Sequence, residues 1–133
     1  MPASDAGFAV LRSEPDGAGG WALAARVPAD SRLFAGHYPG HPIVPGVALL
    51  ALVARAVAAW RGGGEAILGV RGLRLRLPVG PGEALDLRLK PASAMDSEGV
   101  SFEVRRGGDA GELVASGQLR VGRAAGAEPG AAP

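Results

Sequence analysis

One stretch of the chain holds most of the residues able to do chemistry: Leu33-Phe34-Ala35-Gly36-His37-Tyr38-Pro39-Gly40-His41-Pro42-Ile43-Val44-Pro45-Gly46-Val47. An imidazole titrates near neutral pH, so His37 is a candidate proton acceptor. Pro39, Pro42 and Pro45 restrict the backbone around it and so limit where the ring can go. Gly36 permits a close backbone approach or a positive φ. Gly46 and Val47 stand where a helix is expected to begin, and the first amides of a helix have no partner within it. Such amides donate to an oxyanion or to a polarised carbonyl. A base and a set of oxyanion donors are thus brought together by one short loop. Taken alone, His37 reads better as a loop histidine bonded to backbone, and the residues around it are what raise it to a candidate. His41, between Gly40 and Pro42, reads as a surface residue.

The elements that must position this loop follow from periodicity. Phe8 to Leu11 reads as a short strand, and Trp21, Leu23, Ala25 and Val27 alternate as a half-buried strand does, so the two predict a hairpin across the Pro15–Gly20 turn region. Pro28 to Pro45 has too many Pro and Gly for helix or strand. Val47 to Trp60 is dense in Ala, Leu and Val with only Arg55 charged, which predicts a helix apolar on nearly all sides and therefore buried. Gly62-Gly63-Gly64 ends it; without a following Lys-Ser/Thr it is no phosphate loop. Alternation then predicts strands over Val70 to Leu77, Leu85 to Lys90, Val100 to Val104 and Leu113 to Val121, with turns at Gly80-Pro81-Gly82 and Gly107-Gly108. Two strands, one buried helix and four antiparallel strands predict an α+β fold, a strongly curved sheet wrapped round the helix. The expected domain covers residues 1–122, and the Ala-Gly-Pro tail at 123–133 is expected to be disordered.

Composition narrows the function. The chain has 133 residues, 47% hydrophobic and 20% charged, enough for one packed domain. A net charge of +1, with no Lys/Arg block, argues against a nucleic-acid partner. Arg71, Arg74, Arg76, Arg88 and Lys90 do gather in the second half, most simply as the solvated face of two strands. The absence of cysteine excludes disulfides, thiolate metal sites and a cysteine nucleophile. No signal peptide is read at the N-terminus, and the apolar run from Val47 is too short to span a bilayer, so a cytoplasmic protein is expected.

Gly36-His37-Tyr38-Pro39-Gly40-His41-Pro42-Ile43-Val44-Pro45-Gly46-Val47 resembles the His-bearing signature of the FabZ-like 3-hydroxyacyl-acyl-carrier-protein dehydratases. Leu73-Arg74-Leu75-Arg76-Leu77-Pro78-Val79-Gly80-Pro81-Gly82-Glu83 is similar to that family's Arg-rich strand and the turn after it. The resemblance runs from about Phe8 to Val121. It implies a hotdog fold, a long helix wrapped by a curved antiparallel sheet and dimerised edge to edge, with active sites shared between subunits. It places His37 on the family's catalytic histidine, and Gly46 and Val47 on the amides that face the thioester carbonyl. Phe34 and Tyr38 fall on positions flanking the site. The family's Glu or Asp falls on Ala51 and the Gln after it on Arg55; Ala51 and Arg55 thus remain as substrate-side positions only. No Asp or Glu occurs between Asp30 and Glu65, so no neighbouring turn replaces the lost acid.

The resemblance therefore implies dehydration of a 3-hydroxyacyl thioester to the 2-enoyl thioester, in fatty-acid or polyketide-type biosynthesis. The chain would act alone, or as one subunit of a heterodimer whose partner supplies the carboxylate. A non-catalytic subunit that binds acyl groups or an acyl-carrier protein is the alternative, and a hotdog thioesterase a weaker one. No metal or diffusible cofactor is implied, since the substrate arrives on the 4'-phosphopantetheine of its carrier. Expected partners are an acyl-carrier protein and a related hotdog subunit or second copy. Arg71, Arg74, Arg76 and Arg88 are candidates for docking an acidic carrier. Arg55 lies one turn beyond Ala51 on the same helix face and is expected either to reach the vacated space or to run along the surface.

Overall fold

The computed structural model describes residues 4–5, 7–28, 44, 46–93, 95–107 and 111–123. Along the chain run β1 (Ser4–Asp5), β2 (Phe8–Pro15), β3 (Trp21–Arg26), α1 (Gly46–Arg61), β4 (Ala66–Leu75), β5 (Ala84–Ser93), β6 (Asp96–Arg106) and β7 (Glu112–Gly122). The strands form one sheet in the order β1-β2-β3-β5-β6-β7-β4. Every pairing in it is antiparallel. The chain leaves β3, forms α1, and re-enters the sheet at the far edge as β4 before returning to its centre as β5. This is the predicted α+β arrangement of one helix against an antiparallel sheet.

Period-two alternation builds the sheet's inner face. Leu85, Leu87 and Leu89 on β5 and Val100, Phe102 and Val104 on β6 are all buried. The register sets Leu87 beside Val104 and Leu89 beside Phe102, so each pair closes the core next to its neighbour. Arg88 and Lys90 point the other way. Asp86 shares their face yet is buried, with its carboxylate accepting a 2.7 Å bond from Arg88 Nε. Pairing a buried carboxylate in this way offsets its lost hydration.

Two expectations are corrected here. The helix is not covered all round. Its buried residues are Ala48, Leu49, Leu52, Val53, Ala56 and Val57, one face at helical spacing. Val47, Ala51, Ala54, Arg55 and Ala59 face outward. A single sheet can cover only one side of a helix, and composition misled because the open side is mostly alanine. Second, β4 starts four residues earlier than predicted and ends at Leu75. Leu73 and Leu75, which alternate with arginines in the sequence, are nevertheless 41% and 54% exposed. They lie on an edge strand whose pairing with β7 shifts register between Arg71 and Arg74, where Gly72 takes a φ of 64°. Leu77, just past the strand, does pack against the core.

Candidate active site

The helix begins at Gly46, as its flanking residues require. Neither the Gly46 nor the Val47 amide has a hydrogen-bond partner among the described residues. No acidic residue stands in the first turn to cap them. Val47 is 75% exposed. Among the described residues, the start of α1 is therefore an open pair of donors carrying the positive end of the helix dipole. One turn on, Ala51 faces outward with nothing on it that ionises, and the helix carries no carboxylate at all.

His37, Phe34, Tyr38 and His41 lie within 29–43, outside the described residues, as does the expected tail from 124 onward. The residues that bracket 29–43 are described. Val27, just past β3, donates its amide to Glu83 O at 3.0 Å and accepts from Gly82 N at 2.7 Å. Val44, just before the helix, donates to Val79 O at 2.8 Å. Both flanks of the His-bearing segment are thus tied to one turn, Val79–Glu83. That turn is itself fixed: Gly80 N donates to the Glu83 carboxylate at 2.6 Å. Arg106 approaches the same carboxylate at 3.4 Å, donates to Pro78 O at 3.3 Å, and pairs with Glu112 at 2.8 Å. Hydrogen bonding to Glu112, with Glu83 adding, pushes the Arg106 guanidinium above its ordinary pKa and keeps it charged. Reading for motifs noted Gly80-Pro81-Gly82-Glu83 as a turn but missed Glu83 and Arg106 as its fasteners. A carboxylate three residues after a glycine amide was the signal available.

Arg55 lines a cleft of about 580 Å³ between the second half of α1 and the β2–β3 hairpin. Val10, Trp21, Leu23 and Ala58 supply its apolar lining beside the polar Ser13 and Arg55. Trp21 Nε1 there donates to Ser13 Oγ at 2.9 Å. Of the basic candidates, Arg71, Arg74 and Arg88 come together on the outer face of the sheet with Lys90, while Arg76 does not join them. Among the described residues no cluster of His, Asp and Glu could hold a metal. No described helix is long and apolar enough to cross a membrane.

Residues 13–118 match the ApeI-like family, described as ApeI dehydratase. The 3-hydroxyacyl-[acyl-carrier-protein] dehydratase FabZ of Syntrophotalea carbinolica is 38% identical over 96 residues, covering 66% of this chain and 64% of that protein. The chain thus spans just under two thirds of that relative's length. Among solved structures, the dehydratase heterocomplex ApeI:P from Xenorhabdus doucetiae superposes with a TM-score of 0.73 at 18% identity, over 86% of this chain and 96% of that one. The dehydratase domain of the polyketide PpsC from Mycobacterium tuberculosis gives a TM-score of 0.64 at 19% identity, over 86% of this chain and 44% of that one. The architecture is the hotdog fold that the sequence motifs implied.

Proposed function

Because the chain belongs to the ApeI-like dehydratase family, we propose that it removes water from a 3-hydroxyacyl thioester carried on an acyl-carrier protein, giving the 2-enoyl thioester in fatty-acid or polyketide-type biosynthesis. His37 takes the proton from C2. The C2–C3 double bond forms as the C3–O bond breaks, and the departing hydroxyl is protonated and leaves as water. The amides of Gly46 and Val47 hold the thioester carbonyl oxygen, where negative charge develops as C2 loses its proton. Phe34 and Tyr38 flank the acyl group. These protein groups supply the proton transfer and the polarisation, so the reaction as proposed uses no metal or diffusible cofactor. The pantetheine arm arrives with the substrate.

The observation that carries this reading is the start of α1. Two amides without a partner among the described residues open the helix directly after a His-bearing segment whose two flanks are hydrogen-bonded to one turn. The missing acid shapes the rest of the proposal. Ala51 does no proton chemistry, and Arg55 stays protonated near neutral pH and cannot replace it. The carboxylate comes instead from a related hotdog subunit seated on the open side of α1 and on β4. Exposed Val47, Leu68, Val70, Leu73 and Leu75 support such a partner, since apolar residues gathered on an edge strand and a helix start favour association. The relative in Xenorhabdus doucetiae is described as a heterocomplex, which is the arrangement proposed for this chain. Ala51 also favours a second reading, a non-catalytic subunit that binds the acyl group for its partner.

The test is turnover of a 3-hydroxyacyl thioester by the purified chain, with and without a hotdog partner. Replacing His37 by Ala is expected to lower the rate by about 10²- to 10⁴-fold. A rate unchanged in His37→Ala would remove the base. A partner-bound chain whose His37→Ala variant leaves the complex fully active would select the non-catalytic reading.

A further inference from the structure

Arg106, at the end of β6, joins segments that lie far apart in the sequence. Its guanidinium divides between two sides. Nε and Nη2 donate to the Glu112 carboxylate at the start of β7, at 2.9 and 2.8 Å. Nη1 turns the other way, onto the Pro78 carbonyl at 3.3 Å and the Glu83 carboxylate at 3.4 Å. Pro78 and Glu83 stand at the two ends of the turn that follows β4, so one cation spans its mouth. The Arg106 and Glu83 side chains are only 31% and 29% exposed, so water and salt screen this contact less than they screen a surface pair.

The turn in its turn holds the approach to the helix. Val79 is 1% exposed, and its carbonyl accepts from the Val44 amide at 2.8 Å. Only Pro45 separates Val44 from Gly46. A proline ring fixes φ at about −65°, so a shift at Val44 passes to Gly46 with little slack. Core packing fixes the helix from Ala48 and Leu49 onward, whereas Val47 before them is 75% exposed. The first two amides are therefore the part of α1 that packing holds least, and the Val44–Val79 bond decides their direction.

We propose that Arg106 is a positioning residue for the reaction: by fastening the turn Val79–Glu83 it sets where the Gly46 and Val47 amides point, and so how strongly they polarise the thioester carbonyl. The inference rests on the dehydration proposed above, in which those amides hold that oxygen. Hydrogen bonds weaken steeply as the donor turns off line. The oxygen carries more charge in the transition state than in the bound thioester, so misaligned donors cost rate more than binding. Arg105 gives the contrast. It donates to Gly111 O at 3.1 Å and pairs with Glu103 at 3.2 Å, and neither belongs to the turn.

Two measurements on the assembled protein test it. The first is kcat and KM for a 3-hydroxyacyl thioester of N-acetylcysteamine. The second is the infrared stretching frequency of an isotope-labelled carbonyl in the bound saturated acyl thioester, which has no hydroxyl to lose. A polarised carbonyl absorbs at lower frequency, so the unaltered protein is expected to shift the band below its position in solution. Arg106→Ala is expected to undo most of that shift and to lower kcat about tenfold or more, with KM within about twofold; removing an oxyanion donor outright costs about 10²- to 10³-fold. Arg105→Ala should leave the band and both constants unchanged. A role in stability alone would lower the denaturation midpoint of Arg106→Ala and leave the band of the folded, ligand-bound protein in place, which overturns the proposal. Should Arg106→Ala fail to fold, Arg106→Lys keeps the charge but cannot span Glu112 and the turn at once. A partial loss of the shift in that variant supports the role, and an unmoved band overturns it. A shifted band that Arg106→Ala releases, in a protein that turns over no thioester, supports the positioning role and contradicts the dehydratase reading. Turnover with the band at its solution position does the reverse.

Discussion

At the scale of single residues, Gly117 shows how closely β6, β7 and β4 pack together. A Cβ built there would lie 2.8 Å from Phe102 Cε2, 3.1 Å from Cζ and 3.4 Å from Leu73 Cα. Phe102 is buried in the core, where close packing leaves a ring little room to give. Gly117→Ala is therefore expected to destabilise the protein by about 1–3 kcal/mol. Gly69→Ala, where nothing lies within 4 Å, should be close to neutral. Denaturant midpoints at constant slope measure both, and equal midpoints for the two variants would contradict the packing account. Gly46 is a gentler case. Its added Cβ would meet the Leu75 side chain, nearest at Cδ1, the far end of a half-exposed side chain that can turn aside, so the helix start tolerates small changes that the sheet does not.

At the scale of elements, the turn Val79–Glu83 links the sheet to the segment that carries His37. Removing the Glu83 carboxylate leaves Gly80 N without its acceptor and frees Arg106 from the turn. Glu83→Ala is expected to cost about 1 kcal/mol and to raise hydrogen exchange at the Val27 and Val44 amides, with Glu83→Gln restoring most of the protection. Unchanged exchange at those amides would show that the turn does not hold the segment's flanks. Sequence reading found the strands wherever Leu or Val alternated with charge, as in β5 and β6, because burial on one face imposes that period. It misplaced β4, since Ala66 to Gly69 carries no alternation and the bulge at Gly72 breaks the period that follows. The position of β4 at the sheet edge depends on pairing with a strand some fifty residues later, which no local pattern encodes. The helix start was legible from Pro45-Gly46 alone. The basic cluster on the outer face was only half legible: its cations could be grouped, but leaving Arg76 out of it needed the register of four strands.

At the scale of the whole molecule, the open surfaces are the outward side of α1 and the exposed apolar residues of β4. Val47 and Leu75 lie near the junction of the two, Leu75 packing against Gly46. A charge placed there should oppose burial against a partner while costing the isolated chain little. Leu75→Glu is expected to keep the native fold and shift the assembly toward monomer, read as mass by light scattering; an unchanged mass would move the interface elsewhere. The same surface holds Ala51, the position on which the shared-site account turns. If the chain keeps the base and carbonyl donors of a dehydratase and lacks only the acid, returning the acid should return activity. The most direct measurement is the dehydration rate of the purified chain with Ala51→Glu. A gain of about 10²-fold or more over the unaltered chain is expected, abolished by adding His37→Ala. A folded, assembled Ala51→Glu protein that gains nothing would contradict the account.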